Sequence, residues 1–204
     1  MRFFSYYTLL FLFLLCFNSA FGNRQIDSLF IVGETFIEKS EYEKAMLPFQ
    51  KLKELLEKEH NPLYFKAVFK IGYCYDYLEE IEKAMPFYQE VLDNEKAVIA
   101  IFPEVIYKIY AQIGYSKLGK KENLEVVGYL EKSIAINEKY HLLKSDAESY
   151  FVQYYTDLGN FMQALKYAKL ALSADIAANN TKNIAFSYDD IGEIYFETKN
   201  YPRA

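Results

Sequence analysis

Residues 67–91 read AVFKIGYCYDYLEEIEKAMPFYQEV, and the order of small and large side chains in this stretch decides the fold. Ile71-Gly72 is followed three residues on by Tyr75, then by Ala84 twelve residues after the glycine, then by Tyr88 four residues later. Residues three and four apart share a helix face, so Ile71, Gly72 and Tyr75 form one apolar stripe with a notch in it. A glycine inside a helix costs about 1 kcal/mol of intrinsic propensity, which close approach of a second helix offsets. The spacing predicts that second helix around Ala84, with the alanine facing the glycine. A helical hairpin results.

The same order recurs on both sides. Val32-Gly33, Ile113-Gly114 and Ile191-Gly192 repeat the β-branched–glycine pair, with 39, 42 and 78 residues between successive glycines of the series. Val152 fills the remaining gap, 38 residues after Gly114 and 40 before Gly192. Phe36, Tyr155 and Tyr195 stand three beyond the small position, Lys117 being the exception. Ala45, Ala164 and Ala204 stand twelve beyond it, with Val126 in the third copy, and Phe49, Leu130 and Ala168 come four later again. With 8 glycines in the chain, chance supplies roughly one glycine–alanine pair at this offset, against three in phase.

Local signals mark where the helices start and stop. Ser40-Glu41-Tyr42-Glu43 has the form of a capping box, and Ser145-Asp146-Ala147-Glu148 reads as a second cap. Leu158-Gly159-Asn160 and Lys199-Asn200-Tyr201-Pro202 punctuate the chain at equivalent places. Pro62 and Pro103 stand just before first helices, where the missing N–H costs little. Pro48 lies deeper in a second helix and is expected to bring a kink or an irregular turn.

These residues resemble the tetratricopeptide repeat, whose signature is W-x2-L-G-x2-Y, then A-x3-F, then P. The resemblance runs from Ile26 to Ala204, although no unit carries the tryptophan or the closing proline. The period near forty, longer than the usual ~34, resembles the long-period repeats of bacterial regulatory and sensor proteins. The resemblance implies an all-α fold, a right-handed superhelical solenoid of antiparallel helix pairs. The units fall at about 26–59, 65–98, 107–140, 145–178 and an incomplete 185–204. That last unit lacks its second helix, which would leave Ile191, Ile194 and Tyr195 partly uncovered. The expectation is a chain that is the N-terminal part of a longer polypeptide, or a truncated product.

Composition and the first segment narrow the function class. A chain of 204 residues with 8 Gly, 5 Pro and 52% hydrophobic residues is neither collagen-like nor disordered. With 23 Lys+Arg against 28 Asp+Glu, no basic field exists to hold nucleic acid. Residues 3–22 carry no charge, follow Arg2, and end in Ala20-Phe21-Gly22, the layout of a signal peptide spanning 1–22. An uncleaved membrane anchor is the alternative. Cys16 leaves with the leader, so Cys74 alone remains and no disulfide framework supports the domain.

Chemistry-bearing residues are sparse. His60 and His141 have no ligand at metal spacing and read as helix-end residues. Cys74 reads as packing, and no nucleophile elbow or phosphate-binding loop occurs. Asp189, Asp190 and Glu193 lack the glycine turn of a cation loop. Lys51–Lys58 (KLKELLEK) reads as surface charge pairs four residues apart. The chain is therefore read as non-catalytic, with no cofactor, no metal and no small-molecule substrate.

The resemblance directs attention to the concave face, lined in that family by first-helix positions two, five, six, nine and twelve. Those positions are Lys66, Lys70, Tyr73, Asp76 and Tyr77 in the second unit, and Lys108, Gln112 and Tyr115 in the third. They are Tyr150, Gln153 and Asp157, with Asp146 and Thr156, in the fourth, and Asp189, Asp190 and Glu193 in the fifth. The groove is expected to be basic and tyrosine-rich at one end and acidic at the other, suited to an extended peptide or a protein segment. A merely solvated surface is the alternative. The function expected is an exported scaffold, periplasmic or extracellular, that binds a protein or peptide. The competing expectation is the sensory front of a membrane-bound signalling protein, such as a histidine kinase or a helix-turn-helix regulator.

Overall fold

The computed structural model describes residues 24–58, 60–119 and 123–199. The leader expected at residues 1–22 and the tail from Asn200 lie outside them. All regular structure among the described residues is α-helical, and the chain divides into two compact units, one up to Val91 and one from Leu92.

The first unit holds α1 (24–38), α2 (Tyr42–Lys58), α3 (Leu63–Tyr77) and all but the last residue of α4 (Ile81–Leu92). Its core joins Ile26 of α1, Ala45, Phe49, Leu52 and Leu56 of α2, and Ala67, Ile71 and Cys74 of α3. Burying each large side chain of this set contributes about 1.5–3 kcal/mol. The atoms nearest the glycine belong to a large side chain rather than to the alanine that the sequence suggested. A Cβ on Gly33 would lie 2.5 Å from the Phe49 ring, and one on Gly72 would lie 2.9 Å from the Tyr88 ring. The notch thus receives the large side chain sixteen residues on. Ala45 and Ala84 are fully buried one helical turn earlier.

The second unit holds α5 (Glu95–Ile99), α6 (Pro103–Ser116), α7 (Leu124–Tyr140), α8 (Asp146–Asp157), α9 (Phe161–Ala177) and α10 (Thr181–Glu197). The register is the same, with a Cβ on Gly114 lying 2.6 Å from Leu130. In the next hairpin the sizes are exchanged: Val152 occupies the glycine position, Ala168 the large position, and both are buried in one cluster with Ala164 and Ile194. Volume is conserved across the contact, which cores tolerate well. Ile194 is covered, contrary to expectation, whereas Ile191 and Tyr195 are partly exposed as expected, and the exposed large apolar side chains of α10 are Phe186, Tyr188 and Phe196. α5 was not foreseen; it packs on α6, and Tyr110 donates to Glu95 at 3.0 Å.

Among the described residues, four of the turns use one backbone device. The residue seven past the small position is left-handed: Ser40 (φ 58°), Glu79 (φ 62°), Gly159 (φ 69°) and Lys199 (φ 56°). The next N–H then returns to the carbonyl of the aromatic residue, as in Glu41 to Phe36, Glu80 to Tyr75 and Asn160 to Tyr155, at 2.8–2.9 Å. This closes the orphan carbonyls of the first helix. Ser40 is accordingly a helix stop rather than the cap expected for α2. A non-glycine residue held left-handed carries about 1–2 kcal/mol of strain. Glu79→Gly should therefore raise urea stability by about 1 kcal/mol; a fall in stability would mean the turn is not left-handed in solution.

His60 and His141 are left-handed stops too, at the ends of α2 and α7 (φ 50° and 52°), with Asn61 returning to Leu56 and Leu142 to Asn137. α2 runs unbroken through Pro48, whose ring is buried in the core, so the irregular turn expected there does not occur. Of the lysines in Lys51–Lys58, Lys53 reaches across to Glu90 on α4 at 3.3 Å rather than to a neighbour on its own helix. The second cap is also corrected. The Ser145 hydroxyl makes no cap bond; it donates to Asp175 of α9 at 2.6 Å, and Ser187 of α10 donates to the other Asp175 oxygen at 2.9 Å. Asp175 is only 3% exposed, so it needs both partners.

Candidate functional site

Successive first helices meet through side chains one period apart. In the first unit Lys70 of α3 pairs with Glu34 of α1 at 2.7 Å. In the second, Lys108 of α6 pairs with Asp146 of α8 at 2.5 Å, and the Tyr150 hydroxyl donates to Gln112 at 2.6 Å. The spacings are 36, 38 and 38 residues. These bonds tie the first repeat to the second and the third to the fourth, and offset positive charge that the sequence placed in the groove.

The first unit presents an aromatic row. Along α3 the ring centroids of Phe69 and Tyr73 lie 5.8 Å apart and those of Tyr73 and Tyr77 4.4 Å, and Tyr42 of α2 extends the row at 5.0 Å from Tyr77. The Lys70 ammonium lies 5.6 Å from the Tyr73 ring centroid, which adds a cation–π contact. Lys66 is half-buried on the same helix. Asp76 faces the hairpin interior instead, accepting the hydroxyl of buried Tyr88 at 3.0 Å. The sequence reading missed Tyr42 and Phe69, which stand outside the family's groove positions.

The second unit pairs Tyr115 of α6 with Tyr150 of α8, centroids 4.5 Å apart, and Tyr115 is half exposed. Beside them a cleft of about 70 Å³ opens between α8 and α10. Ser149, Val152, Gln153 and Thr156 line one side, and Asp190, Glu193, Ile194 and Glu197 the other. Of the residues singled out in the sequence, Gln153, Asp190 and Glu193 come together here. Asp157, one turn beyond Gln153 on α8, accepts from it at 2.7 Å, and Asp189 is exposed on α10; neither lines the cleft. Ser149 and Glu197 were missed, yet they continue the helical spacing of Val152-Gln153-Thr156 and Asp190-Glu193-Ile194 by one turn.

Electrostatics distinguish the cleft from its surroundings. Burial, then Glu193 and Asp189, push the Asp190 carboxyl up to about 6 from its ordinary 3.8. None of Asp157, Asp189, Asp190, Glu193 and Glu197 forms an ion pair among the described residues. The Thr156 hydroxyl in the cleft wall is buried without a hydrogen-bond partner. Elsewhere, Cys74 is buried in the core and desolvation pushes its thiol up to about 12, far from a reactive thiolate.

Comparison with known proteins accords with this architecture. The tetratricopeptide repeat family model matches residues 65–97, the stretch of α3 and α4 together with the start of α5. Response regulator aspartate phosphatase E of Bacillus subtilis (strain 168) is 26% identical over 109 residues, which cover 52% of this chain and 28% of that protein. The match thus spans little more than a quarter of that relative's length. Residues 65–97 thus match the tetratricopeptide repeat, and the hairpins at Gly33 and Gly114 seat a large side chain in the same notch as the one at Gly72.

Proposed function

We propose that this chain is an exported, non-catalytic interaction scaffold, a right-handed solenoid that binds an extended peptide or protein segment along its first helices. The observation that carries the reading is the tyrosine pairing on those helices, Tyr73 with Tyr77 and Tyr115 with Tyr150. Tyr77 and Tyr115 remain 42% and 49% exposed although each packs at a tilt against a neighbouring ring. Rigid aromatic rings held at a surface supply contact area at low entropic cost, and tyrosine is enriched among binding hot spots. The absence of catalysis is supported by the use of both histidines as helix stops and by the protonated, buried Cys74. The export part rests on the uncharged run 3–22. No described helix is long and apolar enough to cross a membrane.

Selection of a displayed peptide library on the full chain tests the reading. Peptides enriched on the native protein should lose affinity about 30-fold on Tyr115→Ser/Tyr150→Ser, the size of a hot-spot loss. Enrichment that survives both this variant and Lys70→Glu/Tyr73→Ala would remove the first helices from the binding surface. A second reading, the sensory part of a membrane-bound bacterial signalling protein, is favoured by the similarity to a protein named as a response regulator phosphatase. A membrane span and an output domain encoded beyond Ala204 would decide for it.

A further inference from the structure

We infer that the cleft between α8 and α10 seats a basic side chain of the bound peptide, so that the second unit selects for a lysine or, better, an arginine. This rests on the scaffold reading and adds to it the chemistry of one subsite. Asp190, Glu193 and Glu197 converge on one side of the cleft, and no cation of the described residues pairs with them. The groove lysines Lys70 and Lys108 each pair with a carboxylate elsewhere, Glu34 and Asp146, and so do not neutralise this cleft. Burial first, and after it repulsion from Glu193 and Asp189, lifts the Asp190 carboxyl to about 6, and the repulsion is relieved when a cation enters.

The cleft floor fits the rest of such a side chain. Val152 and Ile194 are buried apolar residues on opposite walls, suited to the methylene stem of a long cationic residue. The Thr156 hydroxyl has no partner and offers an acceptor beyond the carboxylates. A guanidinium presents five donors in a planar fork, whereas an ammonium is a compact point charge. Acceptors spread over two helices therefore suit arginine better.

The test titrates the full chain with acetyl-Gly-Arg-Gly-amide and with its citrulline counterpart, which has the same shape and no charge, following the methyl resonances of Val152 and Ile194. The arginine peptide should bind at least about tenfold more tightly than the citrulline peptide, and Glu193→Gln/Glu197→Gln should abolish the difference. Both glutamates are exposed, so the variant retains the fold, checked by an unchanged circular dichroism melt. Equal response to the two peptides, or discrimination that persists in the variant, overturns the inference. So does displacement of the arginine peptide by equimolar Mg²⁺, which would reassign the carboxylates to a metal. None of these results depends on the tyrosine variants, so the subsite can fail while the scaffold reading stands, and the reverse.

Discussion

Phe49→Ala is expected to destabilise the chain by about 3–5 kcal/mol, the usual cost of emptying a buried aromatic site. Phe49 is fully buried, lies over Gly33, and meets Phe30 edge to face at 6.1 Å. Gly33→Val alone should also be costly, because a Cβ there already comes within 2.5 Å of the ring; overpacking of this kind costs about 1–3 kcal/mol. The two changes together should cost less than their sum. They recreate in the first hairpin the arrangement that Val152 and Ala168 make in the fourth, where the bulk comes from the first helix. A favourable coupling of about 0.5–3 kcal/mol in a double-mutant cycle, measured by urea unfolding, is the expected result. Strict additivity would mean that the ring does not fill the glycine notch.

Glu148 should make stability fall as pH rises. It lies in the first turn of α8, 7% exposed, and one carboxylate oxygen is buried without a partner. Desolvation, reinforced by Asp146, Glu138 and Asp175, pushes the carboxyl up to about 7 from 4.5, against the lowering effect of its own backbone N–H. In the unfolded chain the group releases its proton near 4.5, while the folded chain keeps it to about 7. The contribution is therefore fully present below pH 4.5 and is lost as pH rises to and beyond 7, amounting to about 3 kcal/mol. Glu148→Gln carries no charge at any pH. Its stability relative to the native chain should improve steadily across that window. A difference that stays constant from about pH 4 to pH 8 would sink this assignment.

The repeat was legible because it is written in side-chain volume: small residues at Gly33, Gly72 and Gly114, and the large partners Phe49, Tyr88 and Leu130 at a constant offset. The identity of the partner was misread, because a period fixes which residues recur and not which of two adjacent helical turns covers the notch. The turns were half legible. Leu158-Gly159-Asn160 announces itself through glycine, whereas Ser40, Glu79 and Lys199 adopt the same left-handed geometry without it. Serine misled at Ser145 because its hydroxyl is claimed by Asp175, thirty residues away in sequence. α5, five residues long, is too short for any periodicity to reveal.

The candidate surface was legible in residue types and not in charge. Lys70 and Lys108 look like free cations in the sequence because Glu34 and Asp146 stand a whole repeat away. Bonds at spacings of 36 to 38 residues become visible only once the hairpins are stacked. The cleft was missed in part for a related reason: Ser149 and Glu197 belong to the same helical faces as the residues singled out, one turn beyond the positions carried over from the family.

Asp175 changes how the last three helices of the second unit behave as a material. In an ideal linear stack each element feels only its immediate neighbours, so the end unzips first and alone. A single submerged carboxylate on α9 grips Ser145 at the head of α8 and Ser187 on α10 at once, so peeling away α10 strips a hydrogen bond from the anchorage of α8 as well. Loosening of α10 is thereby coupled to loosening of α8, and α8, α9 and α10 should open as one block instead of in sequence.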